Sequence, residues 1–158
     1  MAGLLLLVTV TTLYAGYNLL IKVSAAHVPA TATSTIAATI CLQIAALMTS
    51  ILFLSIALIR GGQVLQLTWG AYTWAAAAGL CIGGAEIAYF YLFRGIGTSN
   101  PMAANVVIPT VVSGTIVITA IAAYFVFRES LAPIQFAGVG CIILGVLLLY
   151  FGKGLALG

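Results

Sequence analysis

The stretch Trp69-Gly-Ala-Tyr-Thr-Trp-Ala-Ala-Ala-Ala-Gly-Leu-Cys-Ile-Gly-Gly-Ala-Glu86-Ile-Ala-Tyr-Phe-Tyr-Leu-Phe93 carries a single charged residue, Glu86. A helix of about 20 apolar residues crosses the hydrocarbon core of a bilayer, and this run is longer. A spanning β-strand needs only about 9 to 11 residues and alternates in polarity, which this run does not do. Lipid supplies no hydrogen-bond partners, so the backbone must satisfy itself as a helix.

Working outward, four further apolar stretches reach about the same length. The expected spans are residues 3–22, 33–59, 69–93, 102–127 and 131–152, making 1–158 a single all-α, five-helix transmembrane domain. The connections carry turn-forming residues: His27-Val-Pro29-Ala, Arg60-Gly-Gly-Gln63, the run from Arg94 to Pro101, and Arg128-Glu129-Ser-Leu-Ala-Pro133. Trp69, Tyr72 and Trp74 at one helix start, and Tyr150 and Phe151 at another's end, suit the aromatic belts of a membrane interface.

Composition points the same way. Hydrophobic residues make up 64% of the chain and charged residues 4%, against roughly 25% charged in soluble domains. Five scattered basic residues, Lys22, Arg60, Arg94, Arg128 and Lys153, form no run that could follow a nucleic-acid backbone, so membrane lipid is the expected partner and nucleic acid is not. Arg60, Arg94, Arg128 and Lys153 fall at predicted helix ends, where basic side chains snorkel to the interface. The opening Met-Ala-Gly-Leu lacks the basic region of a secretory signal, which predicts a retained first helix. Cys41, Cys81 and Cys141 lie within apolar stretches and are expected as buried small hydrophobes. Metal-ligand spacings, a cofactor motif and a catalytic set are all absent from the sequence, so an enzyme is not expected. His27 is expected as a solvated loop residue, and Glu129 as a loop or first-turn residue.

Five crossings would place Arg60 and Arg128 on the N-terminal side and Lys22, Arg94 and Lys153 on the other. Two against three is too small a bias to set one orientation, which admits insertion in both. Gly79 and Gly83 form a GxxxG pair, and Gly138 and Gly145 are one heptad apart, both suggesting close helix packing.

Intramembrane polar groups are expensive and ask for a reason. Glu86 is the foremost, and needs a proton or a cationic partner. Lys22 is as late in the first span as Glu86 is in the third, so the two are expected at one depth. Tyr14, Asn18 and Lys22 recur every four residues, and Gly79, Gly83, Glu86 and Phe90 share a second stripe. Asn105, Pro109 and Ser113 of the fourth span enter from that same side, and Gln43 reaches mid-depth from the second. Pro109 frees a backbone carbonyl and can break its helix. The expected site is a midplane cavity in which Glu86 exchanges a proton or binds a cationic group. Lys22 would be its counter-ion, with Asn18, Asn105 and aromatic rings such as Tyr14 and Tyr89 contacting substrate. The competing expectation is a buried Glu86–Lys22 pair that joins two helices, or a Lys22 that snorkels.

Several segments, in order, resemble one half of a drug/metabolite transporter, the EamA-like domain. They are Tyr17-Asn18-Leu-Leu-Ile-Lys22; Tyr89-Phe-Tyr-Leu-Phe-Arg94-Gly-Ile-Gly-Thr-Ser-Asn-Pro101; Asn105 and Pro109; Phe127-Arg-Glu129-Ser-Leu-Ala-Pro-Ile-Gln135-Phe-Ala-Gly138; and Ile142-Ile-Leu-Gly145-Val. The resemblance implies one unit of an inverted-repeat bundle whose full-length relatives carry two such halves around a substrate cavity. It thereby implies pairing as a homodimer, parallel or antiparallel, that transports a small-molecule substrate across a bacterial or archaeal plasma (inner) membrane. A non-transporting scaffold or partner subunit is the alternative expectation. An ion channel fits less well, because no ring of charges or filter sequence is present.

Overall fold

The computed structural model describes residues 2–62 and 65–155, without the side chains of Tyr150 and residues 152–155. Gln63 and the side chains of Tyr150 and Lys153, given loop or interfacial places above, lie outside the described residues. Among the described residues five helices follow in order: α1 (Ala2–His27), α2 (Ala32–Ile59), α3 (Trp69–Arg94), α4 (Ala104–Phe125) and α5 (Pro133–Leu155). The described residues contain no strand.

Helices α1 to α4 are each long and apolar enough to cross a membrane. The apolar stretch of α5 that the described residues cover is shorter, Pro133–Leu149. Hydroxyls inside these helices bond back to the carbonyl four residues earlier, as in Thr9 to Leu5 (2.8 Å), Thr39 to Thr35 (3.1 Å) and Ser55 to Ile51 (2.8 Å). Such bonds let polar residues sit in apolar helices without an exposed donor.

The helix ends follow local chemistry. Thr31 and Thr68, both extended, accept from the backbone N–H of Ser34 and Ala71 and so cap α2 and α3. Gly95, at φ +71°, ends α3 in the left-handed conformation. Pro133 opens α5, and the Ala132 N–H donates to the Gln135 side chain at 2.6 Å, half of a capping box.

The ends of three helices differ from those expected. Helix α1 continues past Lys22 to His27, whose ring nitrogen contacts the Val23 carbonyl at 2.9 Å, so His27 is a helix-end residue and not a loop residue. Its loop then spans only the residues around Pro29, which cannot continue the helix. Helix α4 is trimmed at both ends and runs unbroken through Pro109. Helix α5 begins at the proline, which leaves Glu129 in the preceding loop.

The helices fall into two compact units, Met1–Pro101 and Met102–Gly158. In the first, α3 packs against both α1 and α2; in the second, α4 packs against α5. The expected glycine packing holds only in part. A Cβ at Gly83 would lie 3.0 Å from the Gln43 amide nitrogen, so α2 does approach α3 there. A Cβ at Gly79, Gly138 or Gly145 would meet nothing within 4 Å. Cys41, Cys81 and Cys141 are exposed on helix surfaces, not buried, because their apolar helices turn these faces outward.

Candidate functional site

The first unit owes its polar interior to the central position of α3. The residues Glu86, Tyr89, Phe90 and Phe93 recur at helical spacing and are the buried residues of that helix. Opposite them, α1 buries Asn18, Ile21 and Ala25. Two arrangements result.

The first joins α1 to α3. The Tyr89 hydroxyl donates to Asn18 Oδ1 at 2.9 Å, and Asn18 Nδ2 donates to the Tyr14 carbonyl at 2.8 Å. The Tyr89 ring packs against Phe93, centroids 4.9 Å apart and planes tilted by 45°. The Lys22 ammonium lies over the Phe93 ring, 4.8 Å from its centroid, in cation–π range. Asn18 is only 7% exposed and Phe93 2%, so these contacts are withdrawn from the surroundings.

The second is a cavity of about 320 Å³ between α1, α2 and α3, walled by Tyr14 and Tyr17, Leu42 and Gln43, and Ile82 and Glu86. Glu86 is 4% exposed, and its Oε2 is buried without a hydrogen-bond partner. A larger, apolar cavity of about 520 Å³ shares Tyr17 and Leu42 with it and continues between α1 and α2 toward Ser24 and Ala38.

The expected Glu86–Lys22 pair is not formed among the described residues. Lys22 is one turn beyond Asn18 on α1 and reaches Phe93, one turn beyond Tyr89 on α3, so its ammonium is held by a ring and not by the carboxylate. Glu86 therefore does not serve as an ion-paired clasp between helices in this conformation. Of the predicted residues, Asn18, Lys22 and Tyr89 come together in the α1–α3 contact, and Tyr14, Gln43 and Glu86 come together around the cavity.

Asn105 and Pro109 belong to the second unit. Asn105 is exposed on the first turn of α4, and half-buried Pro109 removes the N–H that would bond the Asn105 carbonyl. Ser113 lines a groove of about 230 Å³ between α4 and α5 with Gly114 and Val146. The reading from sequence missed Tyr17 as a cavity wall and Phe93 as the seat of Lys22. Tyr17 is offset by three residues from Tyr14, and Phe93 by three from Phe90, so both share faces that were already marked.

An ionisable side chain buried within apolar helices asks for a partner or a ligand. The profile of the EamA-like transporter family matches residues 1–151. The chain belongs to the EamA-like transporter family. Neither a comparison with curated proteins nor one with solved structures yields a match. As an EamA-like chain it is a multi-pass integral membrane protein, and members of this family are transporters, not enzymes.

Proposed function

We propose that this EamA-like chain acts as one domain and is a secondary transporter of a small organic solute, with the Glu86 cavity as its substrate or coupling-ion site. It works as a homodimer in a bacterial or archaeal inner membrane, all five helices crossing. The observation that carries this reading is Glu86 itself. An ionisable side chain in a spanning helix costs roughly 2.5 to 3.5 kcal/mol on insertion scales, and its Oε2 has no protein partner. Its presence on a cavity wall calls for a proton or a ligand to complete it.

Two features support pairing of oppositely inserted copies. Basic residues divide two against three between the sides that five crossings define. Gly138 and Gly145 of α5 leave room for another helix backbone.

The test is uptake into proteoliposomes of a panel of labelled amino acids, amines and nucleosides, comparing the wild type with Glu86→Gln. Loss of uptake with the oligomer intact on size-exclusion chromatography is expected; normal uptake by Glu86→Gln overturns the role of the cavity. Opposed insertion is tested by single cysteines at Ser99 and Gly61, after Cys41, Cys81 and Cys141 are replaced by alanine. Each should label from both faces, and labelling from one face alone rules out opposed copies.

A further inference from the structure

The Glu86 cavity has a chemical bias that narrows the solute. Among the residues that line it, Glu86 brings the one carboxyl group, and none is basic. Lys22, the cation that could have neutralised it, is held over Phe93. An anionic solute would meet a carboxyl group there and no counter-charge. A polyhydroxylated neutral solute would need many hydrogen-bonding partners, and apart from Glu86 and the tyrosines only Gln43 brings polar atoms to a largely aliphatic wall.

The Tyr14 and Tyr17 rings stand at 86° with centroids 6.3 Å apart. Aromatic faces are electron-rich and attract ammonium groups, and two tyrosine rings stand in the wall beside Glu86. At about 320 Å³ the cavity is at the small end of ligand pockets, roughly 300 to 1,000 Å³. The apolar cavity that shares Tyr17 and Leu42 gives a hydrocarbon or aromatic body somewhere to lie.

We infer that the solute is a small organic monocation, an ammonium group joined to an apolar or aromatic body. The ammonium completes the unpartnered Glu86 carboxylate, and the body lies against Tyr17 and Leu42. This inference rests on the cavity being the transport site, as proposed above.

The test measures binding to the full chain in lipid nanodiscs by calorimetry with three probes of one shape: phenethylamine as its cation, 2-phenylethanol and phenylacetate. The wild type should bind the cation at least about tenfold more tightly than the alcohol, and bind phenylacetate least. Glu86→Gln should erase that preference, and Glu86→Asp should restore part of it. The charge series on the wild type needs no variant, so it decides the matter even if Glu86→Gln does not fold. Equal or tighter binding of the alcohol or phenylacetate overturns the cation class, as does binding of none of the three. Should the cation class fail while Glu86→Gln still abolishes uptake in proteoliposomes, the cavity remains the transport site for another solute. Normal uptake by Glu86→Gln removes the cavity reading itself.

Discussion

Removing the hydroxyl of Tyr89 tests whether Asn18 and Tyr89 hold α1 to α3 or serve the solute. Tyr89→Phe keeps the ring against Phe93 and deletes only the donor to Asn18 Oδ1, which lies 2.9 Å away in a buried position. A net intramolecular hydrogen bond is worth about 0.5 to 1.5 kcal/mol. Side-chain bonds between membrane helices average about 0.6 and reach about 1.7 kcal/mol. We predict that Tyr89→Phe lowers stability by about 0.6 to 1.7 kcal/mol on this scale. Asn18→Ala should lose more, about 1 to 3 kcal/mol, because it leaves the Tyr89 hydroxyl buried without an acceptor. In the double variant the two losses should not add, with a coupling of about 0.6 to 1.7 kcal/mol. The assay is reversible unfolding in mixed micelles, followed by circular dichroism. A coupling below about 0.3 kcal/mol, the level at which independent sites add, would refute the link between the helices. Weakened uptake by Tyr89→Phe at unchanged stability would return both residues to the substrate.

The remaining predictions separate neighbouring roles. Lys22→Met is predicted to lower stability by about 0.5 to 2 kcal/mol through loss of the contact with Phe93, while leaving Glu86-dependent uptake in place; a Lys22→Met that abolishes uptake as Glu86→Gln does would make Lys22 the counter-ion after all. Gly95→Ala and Gly97→Ala both place a side chain at positive φ, +71° and +76°, at about 1 to 2 kcal/mol each. At Gly95 the new Cβ also falls 2.8 Å from the Pro101 nitrogen and 3.0 Å from the Asn100 carbonyl carbon, whereas at Gly97 it meets nothing within 4 Å. Overpacking adds about 1 to 3 kcal/mol, so Gly95→Ala is predicted to shift the thermal midpoint clearly further than Gly97→Ala, and equal shifts would show that the turn does not close on Pro101.

Much of the fold was legible because lipid restricts the options. Helices α2 and α3 start and stop within a residue of where their apolar runs do. The misplaced ends are those where apolarity is a poor guide. Helix α1 runs through Lys22 to His27, since a lysine near a helix end ends nothing, and α5 waits for Pro133, which is suited to a first turn and not to the turns before it. The three cysteines misled because an apolar neighbourhood in a membrane helix is as compatible with a lipid-facing surface as with an interior.

By itself the sequence determined an all-helical membrane chain, the EamA-like family resemblance, and the list of polar side chains at issue, because a nearly uncharged chain makes every polar residue conspicuous. Helical periodicity also put Asn18 with Lys22, and Gly83 with Glu86 and Phe90, on shared faces. Which partners those faces meet was decided only by packing. The sequence pairs Lys22 with Glu86 by charge and depth, yet the packing of α3 on α1 sets Lys22 on Phe93 and Tyr89 on Asn18. Helix α2 approaches at Gly83 and completes a cavity against which Glu86 stands without a protein partner. Depth follows from counting residues along one helix, but contact depends on the rotation of one helix against another, which side-chain volumes set and a linear pattern does not record.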